Sequence, residues 1–151
     1  MKLPTTLAAL HKREGYHALC ITGSEQVVPR WLGDAIGCRP IKTRVSANLE
    51  DQISKHLSGA SPTFEQRLLF RLWVRNEVLA KRFDDAVNRW LGGLPELRLG
   101  YRALPPAQPV RAVYDAAIKI SIEENISCWT DTAHANLLRC AEQDALERRM
   151  A

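Results

Sequence analysis

Apolar residues recur every three or four positions along most of this chain, a spacing that predicts helices. Thr5 or Thr6 can cap a first helix carrying Leu7 and Leu10, which Gly15 weakens. The apolar run Tyr16–Ile21 is too short for its period to separate helix from strand, and is read as a continuation of the helix. Pro29 suits the first turn of a helix opening near Val28, which buries Trp31, Leu32, Ala35 and Ile36 and stops at Gly37. Pro40 opens the next helix, where Ile41, Val45, Leu49, Ile53 and Leu57 recur every fourth residue until Gly59.

Ser58 to Pro62 reads as a linker. Thr63 and Gln66 resemble a capping box that starts the longest helix, running to about Leu91. Its expected buried face is Phe64, Leu68, Leu72, Leu79, Phe83, Val87 and Trp90, and Gly92-Gly93 ends it. Residues 94–109 are rich in proline and glycine, and the alternation across 97–104 also fits an edge strand or hairpin arm. Two further helices follow, one from Val110 to about Asn125 and one capped by Thr130 or Asp131. The expected architecture is therefore mainly α, with five to six helices and at most a minor β element. Residues 1–58 form its N-terminal part and residues 63–151 a helical core around one long strut.

The pair of segments meeting at Gly37 carries the main functional expectation. A short apolar helix, a glycine turn and a second helix opening with Arg39, Lys42, Thr43, Arg44 and Ser46 have the layout of a helix-turn-helix. Arginine reads guanine edges, while lysine, serine and threonine hold phosphates. Arg30 and the row Arg67, Arg71, Arg75, spaced as one face of a helix, would add phosphate contacts. The turn is about one residue shorter than the usual pattern, and Gly33 stands where a helix former is usual.

Charge agrees with that expectation in its distribution more than its sum. The chain has 151 residues and a formal charge of +4. Residues 1–111 hold 17 Lys/Arg against 10 Asp/Glu, and residues 112–151 hold 4 against 7. A basic body with an acidic end suits a polyanionic partner. A small DNA-binding regulator or accessory factor, acting as a homodimer through its last helices, is the leading expectation. The alternative is a non-catalytic adaptor that docks a larger protein through exposed tryptophans, Trp31 or Trp129.

Other chemistry is poorly signalled. Cys20, Cys38, Cys128 and Cys140 contain no C-x-x-C pair, and His17-x-x-Cys20 is the one close pair of zinc-ligand types, so no metal is expected. No Walker loop, G-x-S-x-G, H-E-x-x-H or G-x-G-x-x-G occurs, and neither catalysis nor a cofactor is expected. The chain has no signal-peptide pattern and no apolar run of membrane-spanning length, which gives a cytoplasmic expectation with no membrane partner.

Overall fold

A computed structural model describes residues 6–24, 32–33, 37–49 and 67–150. Among these residues the fold is α/β: four helices around a four-stranded antiparallel sheet. The order is α1 (Leu7–Glu14), β1 (His17–Gly23), β2 (Arg39–Ser46), β3 (Arg67–Val74), α2 (Glu77–Leu91), β4 (Arg102–Leu104), α3 (Val110–Glu123) and α4 (Asp131–Met150). A single 3-10 turn, Arg98–Gly100, precedes β4. Across the sheet the strands run β3-β1-β2-β4.

This corrects the expectation of a mainly α fold. The Tyr16–Ile21 run is the centre of the sheet, not the end of a helix. β1 pairs with β2 on one side and β3 on the other, so Ala18, Leu19, Cys20 and Ile21 are all buried. A central strand covered on both faces reads as an unbroken apolar run, which is why its period carries no sign of a strand. Gly23 closes β1 at a point of close approach: a Cβ there would lie 2.3 Å from the Pro40 carbonyl oxygen of β2.

The helix expected from Pro40 is also a strand over Arg39–Ser46, and the helix-turn-helix falls with it. Ile41 and Val45 are four apart, a spacing that returns a side chain to the same face in a strand as well as in a helix. Thr43, between them, points the same way: it is buried and bonds to α2. Most of the proposed first helix, the 58–62 linker and the Thr63 cap lie outside the described residues. Of the first helix, Leu32 lies in a turn and Gly33 in irregular backbone.

The long helix expected over 63–91 is interrupted. Arg67–Val74 is β3, Arg75 and Asn76 form a bend, and only Glu77–Leu91 is helical. The N-cap is Asn76, whose side-chain oxygen accepts from the Leu79 amide at 2.9 Å. α1, α3 and α4 coincide with expected helices, and Thr6 caps α1 by accepting from the Ala9 amide. The period-two stretch at 97–104 yields β4, which is an edge of the main sheet.

The core lies between one sheet face and helices α2 and α3. Leu19, Ile21, Ile41, Leu72 and Val74 meet Ala80, Phe83, Val87 and Leu91 of α2 and Val113 and Ala117 of α3. The other face carries Ala18, Cys20 and Trp73, with Tyr16, Leu49, Leu68 and Trp129 against them. α1 and the first half of α4 pack together at the end of the sheet where Trp73 lies. Beyond β3, Trp129 adds one bridge to the sheet, with the two tryptophan amides and carbonyls bonded reciprocally at 2.8 and 2.9 Å.

Candidate functional site

The expected DNA-contacting residues fall into separate places. Arg39 opens β2 and donates to the Gln108 carbonyl at 2.5 Å. Lys42 donates to the Leu99 carbonyl at 3.0 Å, with its ammonium 5.4 Å from the centre of the Tyr101 ring. Thr43 turns to the helical side, where its hydroxyl donates to Asn88 Oδ1 at 2.9 Å, and Asn88 in turn donates to Asp84. Burial raises the Asp84 carboxyl above its ordinary pKa. Ser46 is buried, its hydroxyl oxygen accepting from the Asn48 amide. Arg30 lies outside the described residues.

The arginine row is on a strand and a bend, not on a helix. Arg67 opens β3, and Arg71 pairs with Asp131 at 2.7 Å while its guanidinium lies 4.9 Å from the Trp73 ring. Arg75 donates to the Glu14 carbonyl and covers the Tyr16 ring at 4.9 Å. The sheet does bring Arg44 and Arg71 together, since both are register partners of Cys20. Directly paired side chains share a face, so the two arginines flank a buried thiol. Thr43 is on the opposite face from this pair.

A cluster of histidines and aromatics forms at the meeting of α1, β3 and α4. α1 turns His11 inward and α4 turns His134 inward; both are buried, and His11 Nδ1 lies 2.9 Å from His134 Nε2. His11 Nε2 is 2.9 Å from the Ala47 carbonyl, which can only accept, so Nε2 carries the proton and Nδ1 is bare. His134 must then donate from Nε2, which leaves its Nδ1 a bare acceptor, buried and without a hydrogen-bond partner. The Trp73 ring stacks on His134 at 4.6 Å and meets His11 edge-on at 4.6 Å. Trp73 Nε1 donates to Asp131 Oδ1 at 2.7 Å, and Tyr16 packs edge-on against His134.

Burial is the main reason both histidines resist protonation. His134 is lowered to about 4, by desolvation and then by the neighbouring His11. His11 is lowered by desolvation and, more weakly, by His17 and Arg71, against its bond to Ala47. Beside His11 a cavity of about 480 Å³ opens between α1 and residues 47–49, bordered by Ala8, Lys12, Asn48 and Leu49. No local motif marks this cluster in the sequence, because His11 and His134 are 123 residues apart.

A second feature follows the outer flank of α3. One hollow of about 260 Å³ is lined by Leu69, Phe70, Val110, Arg111 and Tyr114. Another of about 530 Å³ is lined by Ile118, Ile122, Ile126, Cys128 and Trp129, with polar groups from Ser121, Asn125 and Ser127. Tyr114, Ile118 and Ile122 are four apart, so the two hollows lie along one helix face about 12 Å long. Phe70 meets Tyr114 edge-on at 5.3 Å, which joins this face to edge strand β3. Ile122 is 74% exposed, a large apolar side chain left in water at the lip of the groove. Burial pushes the Cys128 thiol up, so it is protonated at neutral pH and a poor nucleophile.

Among the described residues, no group of three or more His, Cys, Asp or Glu is arranged to hold a metal ion, and no helix is long and apolar enough to cross a membrane. Comparison with protein-family models, with curated proteins and with solved structures returns no match to this chain.

Proposed function

We propose that this chain is a protein-binding module that seats an extended, apolar segment of a partner along the groove between the β3 edge and α3. The carrying observation is the line of half-buried Tyr114 and Ile118 and exposed Ile122 beside an edge strand, with a hollow at each end. Strand addition uses main-chain hydrogen bonds for affinity and alternate side-chain pockets for specificity. The edge already takes an extended segment in this way, since Trp129 bonds to Trp73 through both main-chain groups. Backbone alternation turns the amide and carbonyl of Arg71 to the same side as those of Trp73. The DNA-contact residues give less support to a nucleic-acid partner, because Thr43 and Ser46 are buried and Arg39, Lys42 and Arg71 are held by internal partners.

The test is selection from a random-peptide display library against the whole protein, with Ile122→Arg and Tyr114→Ala as counter-selections. Peptides with apolar residues at alternate positions should be enriched, and should bind Ile122→Arg at least tenfold more weakly. Absence of enrichment, or enriched peptides indifferent to both substitutions, would overturn the reading. Salt-sensitive binding of a random DNA duplex without any peptide binding would return the weight to a polyanionic partner.

A further inference from the structure

We propose that the His11–His134 pair is a proton-operated latch that holds α1 against α4 and the end of β2, and that acid releases α1 and opens the cavity beside it. The latch is one chain of two hydrogen bonds. The His134 Nε2 proton goes to His11 Nδ1, and the His11 Nε2 proton goes to the Ala47 carbonyl. It therefore ties together a side chain from α4, a side chain from α1 and the backbone just after β2. α1 is a helix of eight residues whose buried side chains are Leu10 and His11, so the latch includes one of its two inward-facing anchors.

Proton counting decides how the latch fails. A first proton can enter at the bare Nδ1 of His134, and both hydrogen bonds survive. That Nδ1–H, however, is buried with no acceptor placed to receive it among the described residues, and the cation has the Trp73 face and the more distant Asp131 carboxylate to favour it. A second proton can enter only at His11 Nδ1. Two N–H groups then face each other across 2.9 Å, and the bond between α1 and α4 becomes a repulsion. The surrounding charges oppose protonation on balance. Arg71 of β3 and His17 of β1 disfavour it, and Asp131 of α4 favours it, although that carboxylate is committed to Arg71 and Trp73. Arg75, after β3, is tied to Glu14 at the end of α1 and gives that helix a second, carboxylate-dependent hold. The Ala8, His11 and Lys12 wall of the cavity belongs to α1, so release of α1 opens it.

The experiment is amide hydrogen exchange on the whole protein between pH 7.5 and 4.5, corrected for intrinsic exchange, with the α1 amides read relative to those of β1. Wild type should lose at least tenfold of its relative α1 protection across that range. His134→Phe keeps a ring on Trp73, removes one of the two titrating imidazoles and leaves His11 Nδ1 with no N–H to face, so its relative α1 protection should fall much less across the range. A wild-type protection ratio independent of pH would overturn the latch. A step of the same size in His134→Phe would also overturn it, because the His11–His134 contact would then not be what acid breaks. Imidazole ¹⁵N spectra of the wild type keep the test open if the variant does not fold. Both rings should carry Nε2 protons at neutral pH, and α1 should loosen as they titrate. Any other tautomer pair, or loosening that follows the carboxylates instead, would refute the proposal.

Discussion

Trp73 shows how much one side chain can organise when its polar and apolar parts have separate partners. Its ring is fully buried between two histidines, while its indole N–H reaches the same Asp131 oxygen that holds Arg71. The two histidines give the protein a definite response to acid. In the unfolded chain they titrate near 6.5, whereas in the native state both are lowered, His134 to about 4. The unfolded state therefore binds more protons below pH 6.5, and stability must fall as pH drops from there toward 4. Urea unfolding at pH 7.5, 6 and 5 should show a descending midpoint, with a shallower descent in His134→Phe; a constant wild-type midpoint would contradict the sign. Gly23 gives a second residue-scale prediction. Gly23→Ala forces a methyl into the Pro40 carbonyl, and separating β1 from β2 should cost about 1–3 kcal/mol in a chemical denaturation curve. Neither result is legible in the sequence. A glycine in an apolar run does not say what approaches it, and two histidines at opposite ends of a chain do not say that they touch.

The elements that sequence reasoning recovered are those whose ends are chemically marked. Thr6 marks the start of α1 and Pro109 precedes α3, whereas the end of α1 at Gly15 was hidden by the apolar run that follows it. The elements it missed are strands: β1, an unbroken apolar run, and β2 and β3, whose apolar residues fall four apart. Ile41 and Val45, and equally Leu68 and Leu72, satisfy a helical stripe and, in the first case, a strand face. In β3 the register slips opposite Ile21/Thr22, and Leu68 and Leu72 end on opposite faces of the sheet. Thr43 looks like an exposed donor in the sequence, and its hydrogen bond to α2 puts it on the covered face of the sheet. Asn76 was overlooked as a cap because it lay inside an apparent helix. Replacing it with alanine removes the bond to the Leu79 amide and should lower global stability by about 1 kcal/mol, measured by thermal or urea unfolding. α4 offers the opposite case. Its buried residues are His134 and Leu138, both in its first half, so deletion from Leu146 onward should change stability by less than about 0.5 kcal/mol.

At the scale of the molecule, the sheet separates two kinds of surface. One face is filled by α2 and α3, and the outer flank of α3 is left with the apolar groove beside β3. Ile122→Arg should leave the unfolding midpoint within experimental error, because the side chain is already in water, while weakening peptide capture by the groove at least tenfold. A drop in stability instead would mean that Ile122 serves the fold. Charge asymmetry alone could not assign a partner once Arg39, Lys42 and Arg71 had found internal ones.

The strand order also sets a timetable. β1 is the first strand to be synthesised, and it lies between two partners that come much later: Cys20 faces Arg44 on one side and Arg71 on the other. β2 in turn waits for β4, where Arg39 meets Leu104. During translation the most fully buried strand of the sheet therefore emerges with both edges bare, and the second stays bare until β3 has been made. Such long-range pairings are slow to form and expose sticky edges while they are incomplete. Nascent chains stalled shortly after β2 should be the ones most prone to aggregate, and those long enough to have released β3 should be the first to resist proteolysis.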